Sequence, residues 1–519
     1  MINGCRSGGR VAGRSNVGGI VGYTVQDLKF CVNSGTVSGA DWVGGVVGFG
    51  DSPVIGCSNS GAVSGSNTVG GVAGECPLPM SCDNSGPVAG VAGGARIGGV
   101  VGYSWWWVDT CRNSGSVTGP VSVGGLVGAC EGAVNVGVNS GSVSGDSSVG
   151  GVVGSLSSLP GYPAAMLNSA NCGAVRGTNS VGGLVGDSQG GTWNCANTGT
   201  VSGVTAVGGV AGYLGSIGTV SNCANAGVLS GLNGVGAMAG TNDGACVNSY
   251  WKQTGVAPFN LAVTGGGTGT VTDCQSFSAA PGTLTSPVTV GGVTTNGLSA
   301  VLNAWAAANW TWEAPFRRWT AGTAGAYPLP MTACWTDTGN YDTNWYSEAG
   351  SQFTLGTAAQ LAGIAALVNA GHSFSNKTVT LSADISLSGF LWVSIGQGSS
   401  SGPESYSAFS GTFDGNGKTV SGAYAGGGLY SEDFLMASVF GVVGEGAMIR
   451  NLRVADADLT GMMASGLVNM NDGGTVQNCS TGGRLRGYYG AGGLAWINQG
   501  AIMNCFSSLA IDPSPEASA

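Results

Sequence analysis

VGGIVG at 17–22, VGGVVG at 43–48 and VGGVAG at 69–74 are copies of one six-residue motif, and their spacing of 26 residues decides the fold. Further copies begin at residues 97, 123, 149, 181, 207 and 235. Short valine-centred segments such as TVSG and SVTG lie between the copies and are typical of β-strands bounded by turn formers. A unit of this size cannot bury its apolar face alone, so successive units are expected to stack as coils.

The chain is therefore predicted to be all-β, a right-handed parallel β-solenoid in which equivalent residues of successive coils form columns about 4.8 Å apart. The paired glycines of the motif, among them Gly45, Gly125 and Gly183, stand where a Cβ would clash with facing backbone. An asparagine precedes most motifs by ten residues and is predicted to hydrogen-bond to its equivalents in the coils above and below. These asparagines are Asn33, Asn59, Asn113, Asn139, Asn171, Asn197 and Asn225, and Asn84 is the equivalent residue displaced by a local insertion.

Cysteines form another column, twelve residues before the motifs, at Cys5, Cys31, Cys57, Cys111, Cys195 and Cys223. Their side chains would project in parallel, which is an awkward geometry for a disulfide, so buried free thiols are favoured. A local bridge between Cys76 and Cys82 stays open, because both flank one variable loop.

The period breaks after residue 248 and returns late in the chain, at VFGVVG (439–444), ASGLVN (464–469) and AGGLAW (491–496). We divide the chain into a first array (1–248), a closing segment and junction (249–331), an opening module (332–437) and a second array (438–519). A capping box at Thr357–Gln360, apolar residues at helical spacing and a stop at Gly371 predict one helix over 358–370, which would cap the second array.

The repeats resemble the GLUG-motif family, whose Gly-Leu-any-Gly core appears at 125–128 and 183–186. The segment 353–452, with FSGTFDGNGKTVSG at its centre, looks like the module that opens such arrays. The resemblance implies a non-catalytic β-solenoid region of a secreted or surface-exposed bacterial protein, since the family includes adhesin-like proteins and IgA-cleaving metallopeptidases. The sequence starts inside one array and ends at DPSPEASA without a sorting signal, so we expect a fragment of a longer protein.

The composition of the chain argues against several classes of partner and site. Only 8% of the 519 residues are charged and the net charge is −10, which disfavours a nucleic-acid partner. No run approaches the roughly 20 apolar residues of a membrane span, so no membrane insertion is predicted. His372 is the only histidine, and neither an HExxH zinc site nor a phosphate-binding loop in its strand-to-helix context occurs. We expect no cofactor, no metal and no catalytic residue.

Binding residues are sought on the loops that differ from coil to coil, where solenoid proteins concentrate recognition. Trp105, Trp106 and Trp107 are consecutive and cannot all face one core, so at least one is expected at the surface, where it would bind a glycan or a protein or merely cover the rod. Trp345 and Tyr346 are weaker candidates, because they also fit the core of the junction. The leading hypothesis is a non-catalytic, adhesin-like surface protein. The alternatives are a spacer of a larger secreted enzyme, such as a metallopeptidase, and a β-helix enzyme that degrades polysaccharides. The oligomeric state stays open.

Overall fold

The computed structural model describes residues 1–158, 161–253, 262–311, 314–322, 326–397, 407–426 and 436–512. The DPSPEASA ending lies outside the described residues beyond Asp512, as do Trp312 and Glu313 of the closing segment and residues 159–160 of one variable loop. The chain divides into two compact units, Met1–Pro330 and Met331–Ala519. Strands pair in parallel from coil to coil in both units, which confirms the predicted parallel β-solenoid.

The described part of unit 1 folds into four sheets, which each coil visits in the same order. The strands of sheet 1 are Ile2–Asn3, Leu28–Lys29, Val54–Ile55, Pro79–Met80, Trp107–Asp109, Ala133–Asn135, Ala165–Leu167, Gly191–Trp193, Thr219–Ser221, Ala245–Val247 and Thr270–Thr272. Those of sheet 2 are Arg6–Ser7, Val32–Asn33, Ser58–Asn59, Asp83–Asn84, Arg112–Asn113, Val138–Asn139, Ala170–Asn171, Ala196–Asn197, Ala224–Asn225, Tyr250–Lys252 and Gln275–Phe277, followed by the antiparallel strands Thr283–Val290 and Val293–Gly297.

The strands of sheet 3 are Val11–Ala12, Ser15–Gly18, Val37–Ser38, Asp41–Gly44, Val63–Gly70, Val88–Gly98, Val117–Thr118, Val121–Gly124, Val143–Ser144, Ser147–Gly150, Val175–Arg176, Asn179–Gly182, Val201–Ser202, Thr205–Gly208, Leu229–Ser230 and Asn233–Gly236. Those of sheet 4 are Val21–Thr24, Val47–Gly50, Ala73–Glu75, Val101–Ser104, Val127–Cys130, Val153–Leu156, Val185–Ser188, Ala211–Leu214 and Ala239–Asn242. The variable loops connect sheet 4 of one coil to sheet 1 of the next.

The first valine of the motif builds a continuous interior column in register. Val43 pairs with Val69, and Ile97 and Val123 carry the column on to Val149. All five side chains are buried in one apolar cluster. A second cluster contains the later apolar residues of the motif and the column cysteines Cys31, Cys57, Cys111, Cys195 and Cys223. Cys5, which was expected to be buried with them, is exposed, because its coil lies at the end of the sheets. The predicted stacking of equivalent positions is therefore confirmed along the interior of unit 1.

The asparagine column lies between these two apolar clusters as a hydrogen-bonded ladder. Asn113 Nδ2 donates to Asn139 Oδ1 at 2.8 Å, and Asn139 Nδ2 donates to Asn171 Oδ1 at 2.9 Å. Each amide also bonds to its own turn: Asn139 Nδ2 donates to the Gly141 carbonyl at 2.8 Å, and Asn139 Oδ1 accepts the Gly141 N–H at 3.2 Å. The buried amides are thereby satisfied, as burial of polar groups requires.

The second glycine of each motif touches this ladder. A Cβ at Gly125 would lie 2.0 Å from the Gly151 carbonyl oxygen and 2.4 Å from Asn139 Cγ, and the same kind of contact occurs at Gly45 and Gly183. Both neighbours are fixed parts of the next coil, so no side chain fits.

The closing segment differs from the expectation in two ways. Parallel pairing continues past residue 248, to Gln275–Phe277, because strand pairing survives the break in sequence period. Helix α1 (Leu298–Ala308), which the sequence did not predict, then follows. The segment from α1 to Trp319 packs along the flank of unit 1. Two apolar clusters join this segment to the coils. One contains Leu298, Val301, Leu302 and Trp319 together with Ala196, Ala224, Tyr250 and Phe277. The other contains Trp305 and Phe316 together with Ala165 and Leu167.

A second asparagine column receives this segment. Asn168, Asn194 and Asn222 bond to one another at 2.7–2.8 Å, and their Nδ2 atoms donate to the carbonyls of Pro315, Arg317 and Leu302. Trp319 Nε1 donates to Asn194 Oδ1 at 2.5 Å. The closing segment therefore acts as a strap along several coils.

In unit 2, helix α2 (Ala358–Asn369) agrees with the predicted helix. Thr357 is its N-cap, and the Thr357 side chain accepts a hydrogen bond from the Gln360 N–H. The helix connects the first two strands of sheet 5 and packs on their core. Sheet 5 comprises Gln352–Leu355, Thr378–Leu381, Thr412–Asp414, Met448–Arg450, Thr475–Gln477 and Ala501–Met503. Sheet 6 comprises Ile385–Ser386, Thr419–Ser421, Tyr424–Ala425, Met436–Ala437, Arg453–Ser465, Ser480–Gly492 and Phe506–Asp512. Sheet 7 comprises Phe440–Val443, Val468–Asn471 and Ala495–Asn498.

Candidate functional site

The outward column of sheet 4 carries large side chains in its first coils. Tyr23, Phe49, Glu75 and Tyr103 are register partners on consecutive coils. They follow the VG or AG that ends each motif, so their neighbours in sequence are core residues while they themselves alternate to the outer face. A row of aromatic rings with one carboxylate therefore runs across four coils.

Two tryptophans from neighbouring elements widen this row. Trp42 precedes the motif on sheet 3, and its ring centroid lies 6.3 Å from that of Phe49. Trp105, from the loop after sheet 4, lies 6.5 Å from Phe49 with the rings inclined by 29°, and 6.3 Å from Tyr103. Tyr23 completes the set at 5.6 Å from Phe49. We call the six residues Tyr23, Trp42, Phe49, Glu75, Tyr103 and Trp105 the aromatic strip.

Carboxylates hold the polar tips of the strip. Tyr23 Oη donates to Asp51 Oδ2 at 3.2 Å, and Tyr103 Oη donates to Glu131 Oε2 at 2.7 Å. Asp51 and Glu131 occupy equivalent positions. The backbone N–H of each donates to the carbonyl of the last residue in the sheet 4 strand of the preceding coil. Trp42 Nε1 donates to Glu75 Oε2 at 2.6 Å. Each bond restricts the orientation of a ring.

The electrostatics of the strip follow from this packing. Burial raises the pKa of Glu75, and the hydrogen bond from Trp42 and the positive charge of Arg96 oppose that rise. Burial and the Glu131 carboxylate both raise the pKa of Tyr103. The guanidinium carbon of Arg96 stands 4.7 Å from the centre of the Tyr103 ring. The strip thus presents ring faces together with hydrogen-bond acceptors.

Trp42 and Arg96 belong to a column with left-handed backbone, with φ values of 52° and 65°. The equivalent residues Asn16, Thr68, Ser122, Ser148, Ser180 and Ala206 share this conformation. Non-glycine residues adopt it rarely. Because it recurs in every coil, the conformation belongs to the repeat, and the side chain that stands there is what changes from coil to coil.

The predicted tryptophans separate in the structure. Trp106 is 52% exposed, in line with the expected surface tryptophan. Trp105 joins the aromatic strip, whereas Trp107 lies in sheet 1 and is half-buried. The sequence reasoning missed Tyr23, Trp42, Phe49, Glu75 and Tyr103, because it searched the loops and not the outward positions inside the motif. The aromatic residue after VG at 23, 49 and 103 was the available signal.

Trp345 and Tyr346 pack against the core of unit 2. Their ring centroids lie 5.4 Å and 5.6 Å from that of Phe353. The indole N–H of Trp345 donates to the Asp342 carbonyl at 2.7 Å. This geometry fits the junction-core interpretation of these two residues.

The cysteines are free thiols, including Cys76 and Cys82, for which a bridge was considered. Column thiols bond to backbone instead: the Cys31 N–H donates to Cys57 Sγ at 3.4 Å. Burial raises the pKa of the Cys130 thiol to about 12. Within the described residues, no three His, Cys, Asp or Glu side chains are grouped so as to hold a metal ion. Neither described helix has the length and apolar character that crossing a membrane demands.

Charged residues on adjacent coils, which a polysaccharide-degrading enzyme would need, occur on sheet 5, where Arg450 Nε lies 2.8 Å from Asp414 Oδ2, and on sheets 2 and 6. On sheet 2, Asp83 and Arg112 are register partners in a cavity of about 350 Å³ lined mainly by serines and asparagines. On sheet 6, Arg486 bonds to Asp458 at 3.0 Å and to Asp512 at 2.9 Å. In the sheet 6 cluster the carboxylates bind an arginine across the strands, an arrangement typical of cross-strand ion pairs.

The parallel pairing of strands from coil to coil places the chain among parallel β-solenoids. A crystal structure described as a putative immunoglobulin A1 protease from Bacteroides ovatus is similar, with a TM-score of 0.37 and 17% identity over 55% of this chain and 93% of that chain. No family model and no curated protein sequence matches the chain. The GLUG resemblance therefore rests on the repeat motifs themselves.

Proposed function

We propose that this chain is a non-catalytic region of a secreted or cell-surface bacterial repeat protein, and that it binds glycans through the aromatic strip. The observation that carries the proposal is the set of five neighbouring aromatic rings of the strip, three of which donate hydrogen bonds to the carboxylates of Asp51, Glu75 and Glu131. Ring faces stack on the apolar faces of sugars, while side-chain N–H groups and carboxylates bond to sugar hydroxyls.

The arrangement of the strip supports binding over idle surface covering. Isolated exposed apolar residues need no explanation, but contiguous patches mark interaction sites. Here Tyr23 and Trp42 are 53% and 37% exposed, and both contact Phe49. Their hydrogen bonds to Asp51 and Glu75 reduce the ordering cost that a ligand would otherwise have to offset.

A glycan array tests the proposal, followed by calorimetry on each glycan that binds. The triple variant Trp42→Ala, Phe49→Ala, Trp105→Ala should lose binding by at least about tenfold, since aromatic anchors dominate such sites. Tyr162→Ala is the matched control, because Tyr162 is 75% exposed and stands outside the strip. Circular dichroism confirms that each variant is folded.

Three results would contradict the proposal in different ways. If the wild type binds no glycan on the array, the spacer hypothesis is favoured. If the triple variant binds as well as the wild type, the site lies elsewhere. If mass spectrometry finds shortened oligosaccharides after incubation, the enzyme hypothesis is favoured, and Asp83, Asp458 and Asp512 become the first residues to substitute.

A further inference from the structure

A third tyrosine–carboxylate pair, after Tyr23–Asp51 and Tyr103–Glu131, stands further along the same face. Tyr213 Oη donates to Asp243 Oδ2 at 3.1 Å, and the Asp243 N–H donates to the Leu214 carbonyl at 2.8 Å. The Tyr103–Glu131 pair has the same connections, including the bond from the Glu131 N–H to the Ser104 carbonyl. The repeat thus builds one unit, a tyrosine whose hydroxyl donates to an acid of the next coil, at three places, the first of which is Tyr23–Asp51 in the aromatic strip. We call the Tyr103–Glu131 and Tyr213–Asp243 units the tyrosine posts.

The posts share one column of sheet 4. Tyr103 pairs with Ala129, which pairs with Ser155, then Asp187, then Tyr213. The posts are therefore four coils apart, or about 19 Å at the spacing of hydrogen-bonded strands. Because the column runs parallel to the array axis, a straight ligand along the axis meets both.

The floor between the posts is low and carries hydroxyl groups. Ala129 and Ser155 are small, and the neighbouring left-handed column contributes Ser122, Ser148 and Ser180. This contrasts with the first coils, where Trp42 and Arg96 occupy the same left-handed positions. Small side chains leave room for a chain to lie flat, and serine hydroxyls both donate and accept hydrogen bonds.

Charge narrows the ligand further. The face presents the carboxylates of Glu131, Asp187 and Asp243, and the guanidinium of Arg96 lies at its near end, over the Tyr103 ring. A polyanionic chain laid along it would meet like charges at three places between and at the posts. An uncharged chain would meet ring faces, carboxylate acceptors and serine hydroxyls without that repulsion.

From this geometry we infer that the face between the tyrosine posts binds a linear, uncharged polysaccharide that lies parallel to the array axis and contacts both posts. This inference rests on the proposed glycan-binding function and adds the chain-like character, the direction and the charge class of the ligand. Contact at two separated points raises the affinity for long chains without strengthening either contact alone.

The test measures affinity against chain length. Cello-, manno- and malto-oligosaccharides of two to eight sugars, and the parent polymers, are titrated into the wild type, Tyr213→Ala and Tyr213→Phe by calorimetry. For the series that binds, the wild-type affinity should rise by about tenfold or more once the chain spans both posts. Tyr213→Ala should abolish that rise while leaving the affinity for short oligosaccharides unchanged, and Tyr213→Phe, which keeps the ring, should retain most of it.

The outcomes separate this inference from the proposal on which it rests. Short and long chains that bind equally well to the wild type would overturn the inference and leave glycan binding intact. Equal losses for short and long chains in Tyr213→Ala would overturn it as well. Tighter binding of polygalacturonate than of neutral chains would contradict the inference that the ligand is uncharged. Binding of unfolded casein, with no binding of any glycan, would show that this face binds polypeptides instead. If the wild type binds none of the glycans, the proposed glycan-binding function itself is contradicted.

Discussion

The interior columns of unit 1 repeat one kind of residue from coil to coil, whereas the outward column of sheet 4 changes at almost every coil. Val43, Val69 and Val149 share one buried column, but the outward column reads tyrosine, phenylalanine, glutamate, tyrosine, alanine and serine over the first six coils. The interior must fit the coils on either side, whereas the outer face of sheet 4 is free of that constraint. The regular part of the sequence therefore encodes the β-solenoid, and under the proposed function its irregular part would encode what the outer face binds.

The sharpest way to break this contrast is to place a side chain on the interior glycine column. In Gly125→Ala the new Cβ would lie 2.0 Å from the Gly151 carbonyl oxygen, which is backbone and cannot move without separating two coils. We expect destabilisation beyond about 4–5 kcal/mol, enough to prevent folding of the surrounding coils. Thermal unfolding followed by circular dichroism measures it. Gly9→Ala is the control, since no atom lies within 4 Å of the place that its new Cβ would take; an equal loss of stability in both variants would show that the clash with Gly151 is not what destabilises Gly125→Ala.

Breaking the asparagine ladder should have the next largest effect. Asn139→Ala removes donors to Gly141 and Asn171 and leaves Asn113 Nδ2 without its 2.8 Å acceptor in a buried position. Unsatisfied buried polar groups cost about 1–3 kcal/mol each, so we expect about 2–5 kcal/mol in total. Urea unfolding compares this variant with Ser140→Ala, one residue away on the exposed side. The ladder would be of little energetic importance if the two variants unfolded at the same urea concentration.

A buried tryptophan of the strap and an exposed tryptophan of a variable loop test the contrast between interior and outer positions. Trp319 is 3% exposed and bonds to Asn194, whereas Trp106 is 52% exposed. Trp319→Ala should cost about 3–5 kcal/mol locally and release the strap, while Trp106→Ala should stay within about 0.5 kcal/mol. Limited proteolysis with mass spectrometry detects the release as new cleavage between residues 282 and 330. Unchanged cleavage in Trp319→Ala would mean that the asparagine contacts to Pro315 and Leu302 suffice to hold the strap.

Prediction from the sequence worked best where one residue type recurs at one spacing. Valine, asparagine and cysteine columns follow from the 26-residue step, because a constant step places equivalent residues over one another. Helix α1 and the strap were missed, since they lie where the period breaks and dock on Asn168, Asn194 and Asn222, a position of the repeat that other coils fill with other residue types. The aromatic strip was missed for the opposite reason. Tyr23, Phe49 and Tyr103 lie within a regular motif whose outward position varies, so only register shows that they meet.

The smallest expected effect compares two carboxylates on this outer face by their pH dependence. Burial raises the pKa of Glu75, so its stabilising contribution is present below the pKa of the unfolded chain and is lost as the pH rises through the folded pKa. Hydrogen bonds from the Thr268 backbone and from Tyr213 lower the pKa of Asp243, so its contribution is present above the unfolded pKa and is lost as the pH falls through the folded pKa. Glu75→Gln should therefore raise the melting temperature at pH 7 and leave it unchanged at acidic pH. The corresponding gain in the free energy of unfolding should be less than about 1 kcal/mol, because the site is partly exposed. Asp243→Asn should lower the melting temperature at pH 7 and converge with the wild type at acidic pH. Melting curves from pH 3 to pH 8 decide the matter: shifts of the same sign in both variants would mean that a general charge effect, and not the local packing of each acid, sets the pH response of this face.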